Sequence, residues 1–379
     1  MLPLFILVTA FVTGIVLLVI PENKQKIRTT INLVNAFLTI IMIVVLIIGI
    51  NSGQEFRLVF PLLPNINLVL HADPLSLMFV GLSGVLWFVT TIYAIGYLRK
   101  AKHQSRFFGF FSLCVFATLG IAMAGNLITF LIFYELLTLA AYPLIVHKGN
   151  EASLRAGRIY LRYTMMGGAV LLVGVVWLKS LAGALDFSAA GDLANMTHLP
   201  TTELTIIFVL LIVGLGVKAA LVPLHGWLPE AMAAPAPVSS LLHAVAVVKA
   251  GAFGIIRVIY DVYGFEFADS LGVLFYLSIA ASITIIYASI RALYQDDLKK
   301  RLAYSTVSQV SYIALGASIG GPLAAIAAVT HLVHQGIMKI TMFFSAGNFA
   351  EELHIHKVSE LDGVGSRMPL TMTALTLAI

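Results

Sequence analysis

The chain has 379 residues, of which 60% are hydrophobic and only 11% charged, with a net charge of +5. Soluble domains carry about 25% charged residues, so this composition excludes one and requires a polytopic membrane protein. The single cysteine, Cys114, excludes an intrachain disulfide and a thiolate-bound iron–sulfur cluster.

Apolar runs of spanning length fall at about 1–20, 30–50, 74–97, 107–124, 127–146, 159–181, 204–222, 238–260, 270–292, 302–318 and 322–347. The expected fold class is therefore an all-α membrane protein with eleven transmembrane helices. A twelfth run opens at Pro369 and is still in progress at Ile379, which implies a truncated sequence. The first run has no basic leader and no small-residue cleavage site, so it reads as a span and not as a signal peptide. Residues 61–73, PLLPNINLVLHAD, alternate apolar and polar side chains, as a short strand or hairpin would. Residues 181–203 read as a polar loop with an amphipathic start.

Charge sets the expected orientation. Lys24, Lys26 and Arg28 follow the first run, and Arg99, Lys100, Lys102 and Arg106 the third. Lys148, Arg155 and Arg158 follow the fifth, and Lys299, Lys300 and Arg301 the ninth. The opposite loops hold little beyond Arg57 and Lys179, and one carries Asp261, Glu266 and Asp269. The positive-inside rule then places the N-terminus outside and these basic loops in the cytoplasm of a cell membrane.

Several ionisable residues interrupt the runs. A lysine at the centre of a membrane helix costs about 2.5–3.5 kcal/mol to insert, so an intramembrane charge points to function. Glu135 lies in NLITFLIFYELLTLAAYPL, with Thr138 and Tyr142 on its helix face. Its rival reading is a fixed ion pair that locks two helices. Lys218 has Gly214 one turn before it, where a neighbouring helix can approach closely. Pro223 and Pro229 follow and are the expected helix break, since a proline lacks the N–H that the carbonyl four residues earlier needs. A movable carboxylate at Glu135 would set the proton affinity of Lys218, because an opposite charge offsets the cost of burying one. Lys249 follows His243 by six residues, about 120° away on an ideal helix. The two could be successive relay stations, although His243 alone reads equally as a helix–helix hydrogen-bonding residue. His331, Gln335 and Lys339 recur every fourth residue along one helix side, with His334 between them. A zinc site is the rival reading of HLVH, but no acidic or cysteine ligand lies near it. No strand–GxGxxG–helix pattern and no Walker A motif occur, so no nucleotide, cofactor, metal or catalytic site is expected.

The segments FYELLTLAAYPL, VKAALVPLHGWLPEAMAAPAPVSSLLHAVAVVKAG and HLVHQGIMKITMFFSAG resemble the antiporter-like membrane subunits. These are shared by respiratory complex I, Mrp-type Na+/H+ antiporters and membrane-bound hydrogenases. The resemblance runs from about Asp73 to the end of the chain. It implies two inverted five-helix repeats, each with a broken helix, here helix seven of the first. The implied organisation is three N-terminal helices (1–105), a first repeat of helices four to eight (106–262) and an incomplete second repeat (263–379). By position it makes Glu135 and Lys218 a switching pair, Lys249 the central lysine, and His331, His334 and Lys339 connecting residues. Arg162 falls where a basic residue often lines the path. The wording is most similar to a D-like Mrp subunit, with complex I and hydrogenase subunits as the alternatives. Expected partners are other membrane subunits, the lipid bilayer and protons, with Na+ as a candidate counter-ion and no nucleic acid.

Overall fold

The computed structural model describes residues 1–183, 186–188, 191–196 and 199–379. The other six positions of the expected 181–203 loop lie outside the described residues. Each apolar run is a helix. In chain order these are α1 (Leu2–Val19), α2 (Gln25–Asn51), α3 (Pro74–Tyr97), α4 (Gln104–Ala122), α5 (Leu127–Ile145), α6 (Glu151–Ala182) and α7 (Thr201–Ala219). Then come Ala236–Tyr263, Val273–Leu293, Leu298–Ile319, Pro322–Leu353 and Pro369–Ala378. Among the described residues, ten helices are long and apolar enough to cross a membrane. Leu298–Ile319 has spanning length but a more polar composition, opening on Lys299, Lys300 and Arg301, and is not among the ten.

Polar caps explain where several helices start. Asp73 accepts the Ser76 N–H at 2.7 Å, with Pro74 as the first residue of α3. Asn126 accepts the Thr129 N–H at 2.8 Å at the start of α5, and Asn150 the Ser153 N–H at 2.9 Å at the start of α6. Each satisfies one of the amide donors that a helix start leaves open. Because Asn150 starts α6 at Glu151, the helix begins eight residues before the apolar run at 159 does.

One exception to the all-helical expectation is a hairpin of β1 (Phe56–Leu63) and β2 (Ile66–Ala72). Phe56 pairs with Ala72 and Leu63 with Ile66, and Asn65 turns the chain at a φ of 63°. The predicted segment 61–73 supplies its second strand. β2 docks on the α4–α5 connection, where His71 N–H donates to the Met123 carbonyl and Gly125 N–H to the Val69 carbonyl, both at 2.8 Å.

Ala236–Tyr263 is the hub. All of its apolar window is buried, against a third for α2 and α6. It packs against α7, α3, α4, Leu298–Ile319 and Pro322–Leu353. Peripheral helices keep large apolar side chains exposed, among them Val44, Val45 and Ile48 of α2 and Ile283, Ile286 and Ile290 of Val273–Leu293. Such surfaces suit a hydrocarbon solvent.

Candidate functional site

The sequence places its charges on four adjoining helices, and glycines bring those helices together. A Cβ built on Gly214 of α7 would lie 2.8 Å from the Gly167 carbonyl of α6. One built on Gly251 would lie 2.8 Å from both the Leu215 oxygen and the Lys218 carbonyl carbon of α7. The hub helix therefore crosses α7 at the turn that carries Lys218, two residues beyond Lys249.

Lys218 is 0% exposed. Its ammonium donates to the Tyr134 carbonyl of α5 and sits 3.3 Å from the centre of the Tyr134 ring. Glu135, next to Tyr134, is half-buried, and its Oε1 has no hydrogen-bond partner among the described residues. Four ion pairs form among the described residues, and Glu135–Lys218 is not one of them. The pair lies side by side with its charges held apart.

The break comes just after Lys218. α7 ends at Ala219, and Ala220 turns left-handed at φ 58°, three residues before Pro223. Pro223 lies in the following turn, and Pro229 in the short helix Trp227–Glu230. Side chains satisfy the interrupted backbone. The Trp227 indole donates to the Val217 carbonyl at 2.7 Å, and Val222 N–H donates to Thr284 Oγ1 at 3.0 Å. Non-helical backbone inside a bilayer requires such satisfaction. A polar cavity of about 680 Å³ adjoins the downstream segment, lined by Arg155, Arg158, Glu230, Asp297 and Lys300.

Lys249, also 0% exposed, donates to the Leu332 carbonyl of Pro322–Leu353. His243 lies in a wide π-helical turn, Leu241–Val245, so the ideal-helix separation of 120° does not apply to it. Neither of its ring nitrogens has a partner among the described residues, and its ring centre is 4.5 Å from that of Phe343. Gln335 Nε2 reaches the His243 carbonyl at 3.5 Å. Lys339 is buried and donates to Ser305 Oγ at 2.6 Å, crossing to Leu298–Ile319. His331 Nε2 lies 3.1 Å from the Gln309 carbonyl of the same helix.

The structure thus brings together Glu135 with Lys218, and Lys249 and His243 with the Pro322–Leu353 helix that carries Lys339. His334 and Arg162 stand on exposed helix faces. No cluster of three His, Cys, Asp or Glu residues fit to hold a metal occurs among the described residues.

Sequence reasoning missed three contacts. Tyr134 cradles Lys218, and its neighbour Glu135 was the only signal. Lys299 donates to the Met232 and Ala234 carbonyls at 2.9 and 2.6 Å, tying Leu298–Ile319 to the break. Arg257 bonds Asp73 Oδ2 and Oδ1 at 2.6 and 2.9 Å, Asp261 at 2.6 Å and Ser76 Oγ at 2.9 Å. The Arg257–Asp261 spacing of four was legible as a helical pair.

A family profile described as NADH:quinone oxidoreductase/Mrp antiporter, TM, matches residues 124–379. A second, described as NADH-Ubiquinone oxidoreductase (complex I), chain 5 N-terminus, matches residues 64–108. The chain is 35% identical to NADH-quinone oxidoreductase subunit N of Desulforudis audaxviator, over 83% of this chain and 63% of that one. It is 32% identical to the putative antiporter subunit mnhA2 of Staphylococcus haemolyticus, over 86% of this chain and 42% of the relative. It therefore spans less than two thirds of the length of either. A chain in the structure of the Mrp complex from Dietzia sp. DQ12-45-1b superposes with a TM-score of 0.87 at 21% identity, covering 100% of this chain and 69% of that one. At that identity the likeness shows the fold alone.

Proposed function

This chain belongs to the family of membrane subunits common to NADH:quinone oxidoreductase and Mrp antiporters, and from that premise we propose that it is a proton-translocating subunit. The observation that carries the reading is the pair of fully buried lysines, Lys218 and Lys249, with neutral partners only. A lysine buried against carbonyls and a ring has no counter-ion to fix its proton, so it is suited to give one up and take it back.

Protons are taken up from the cytoplasm beside the break after α7 and reach Lys218. They pass by water and His243 to Lys249, then through His331 and Lys339 toward the second half of the protein. Glu135 sets the affinity of Lys218 by approaching or leaving it. His334 and Arg162, on exposed faces, join this path only through a neighbouring subunit. Residues 1–105, 106–262 and 263–379 belong to the N-terminal helices, a first repeat and a second repeat. The N-terminus is outside the cell membrane, and Leu298–Ile319 and Pro369–Ala378 belong to the membrane bundle.

The assembly we propose first is an Mrp-type cation/proton antiporter, with this chain in a D-like position. A membrane-arm subunit of complex I, or of a hydrogenase, is the second reading, favoured by the identity with a subunit N. Proton movement in everted vesicles, read with a pH-sensitive dye, tests the mechanism. Glu135→Ala and Lys218→Ala each abolish it while leaving the assembly intact. Normal proton movement in either variant would sink the mechanism. Mass spectrometry of the native assembly separates the branches. Small hydrophobic antiporter subunits alone mean an exchanger, whereas flavin or iron–sulfur subunits mean an electron-transfer-driven pump.

A further inference from the structure

We propose that Gly168 of α6 is a positioning residue for the proton path, holding open the niche that receives the Glu135 carboxylate. A Cβ built on Gly168 would lie 2.7 Å from the Glu135 carboxyl carbon and 2.9 Å from its Oε2. Real Cβ atoms do not approach so closely, so the carboxylate would have to leave. The other glycines of α6 meet ordinary packing partners. Gly157 faces Val146 and Tyr142, Gly167 faces Val217, and Gly174 faces Leu210 and Leu211. Gly168 differs from them because what it admits is a charge.

Gly167 and Gly168 are consecutive, and they serve two different helices. Gly167 admits Val217, the residue before Lys218, where a Cβ would lie 2.7 Å from a valine methyl. Gly168 admits Glu135 from α5. Two adjacent positions on α6 thus fix how far the carboxylate and the lysine stand from each other. The niche is steric and offers the carboxylate no bond, since Glu135 Oε1 has no partner among the described residues. Lys218 meanwhile rests on the Tyr134 carbonyl and ring. A carboxylate seated without a bond, beside a lysine held elsewhere, can move between niche and lysine. An alanine at Gly168 removes one of the two seats.

This inference rests on the proposed Glu135–Lys218 switch, and its test keeps the two apart. The complete assembly is assayed for proton movement in everted vesicles, with and without added Na+ and respiratory substrate. Gly168→Ala lowers the rate about tenfold or more, as a misplaced reacting group does, and the protein is still assembled. Gly96→Ala, at a position where a Cβ meets nothing within 4 Å, leaves the rate unchanged. The decisive variant is Gly168→Ala with Glu135→Asp. Aspartate withdraws the carboxylate by about 1.5 Å, one carbon–carbon bond, which makes room for the new methyl. The double variant runs faster than either single one. A wild-type rate in Gly168→Ala, or a double variant no faster than the slower single one, overturns the niche. Glu135→Gln isolates the parent reading. If it moves protons normally the switch itself fails, whereas if it is inactive and Gly168→Ala is not, only the niche fails.

Discussion

Arg257 shows what a buried charge on this chain needs when it is fixed. It is 2% exposed, forks onto both oxygens of Asp73, and reaches Asp261 and Ser76 as well. Asp73 lies outside the membrane-spanning segments as the cap of α3. Burial pushes its carboxyl up, but the Arg257 guanidinium and the Ser76 N–H outweigh that and hold it below the usual carboxylate range. A group with a depressed folded-state pKa stabilises above its unfolded value and loses that contribution as pH falls through the folded one. The Asp73 contribution is therefore complete above about pH 4 and is lost in stronger acid. Arg257→Met strands two carboxylates, and loss of one partner of a buried pair costs about 3–5 kcal/mol. Thermal unfolding of the purified assembly reads this as a lower Tm, and an unchanged Tm would show the cluster to be idle. Glu135, Lys218 and Lys249 lack such a set of partners, which is why they, and not Arg257, are the residues we propose for the proton path. Their identities were legible in the sequence, since a charge inside an apolar run is conspicuous. Tyr134 and Gly168 were not, because their roles lie in what another helix presents to them. His334 entered by family resemblance and not by the fourfold spacing, and neither signal tells that it stands on an exposed face.

At the scale of elements, the hub helix and α7 meet backbone to backbone at Gly251. A Cβ on Gly251 would press on the Leu215 oxygen and the Lys218 carbonyl carbon, both backbone atoms at 2.8 Å. Backbone cannot rotate away as a side chain can, so α7 would have to shift. Gly251→Ala is expected to cost about 1–3 kcal/mol, the range for overpacking, and to lower both Tm and the yield of assembled protein. Gly168→Ala meets the movable end of a side chain and spares both. A Gly251→Ala variant with wild-type yield and Tm would mean that the crossing is looser than this geometry. Hydropathy found the helices because a span must be apolar for its whole length. It misplaced the start of α6 because the first turns carry Glu151, Arg155 and Arg158, and the Asn150 cap is a polar signal that hydropathy reads as loop. The wide turns at Leu241–Val245 and Val258–Tyr263 leave no hydropathy mark at all. Such turns recur at functional sites, where they re-aim side chains, and the first of them carries His243.

At the scale of the whole molecule, orientation decides which way the proposed path runs. The hairpin and the Asp73–Arg257–Asp261 cluster lie at one end of the bundle, while the break-side cavity holds Arg155, Arg158 and Lys300. By the positive-inside rule, the basic loops lead us to propose that the cavity end faces the cytoplasm. Cys114 is the only cysteine and is fully buried, so the native chain gives almost no background to a membrane-impermeant thiol reagent. Lys102 and Glu266 are both exposed and lie in connections between spans of opposite expected sidedness, Glu266 in the short helix Phe265–Ser270. In right-side-out vesicles Glu266→Cys is labelled and Lys102→Cys is protected, and everted vesicles reverse the pattern. The opposite result would put the Arg155–Arg158 cavity outside. The break would then open to the external face, so for protons moving outward the step proposed beside it would be release and not uptake. The Glu135–Lys218 pair would be unaffected by that reversal, because its geometry depends on how α5, α6, α7 and the hub helix pack and not on which side of the membrane they face.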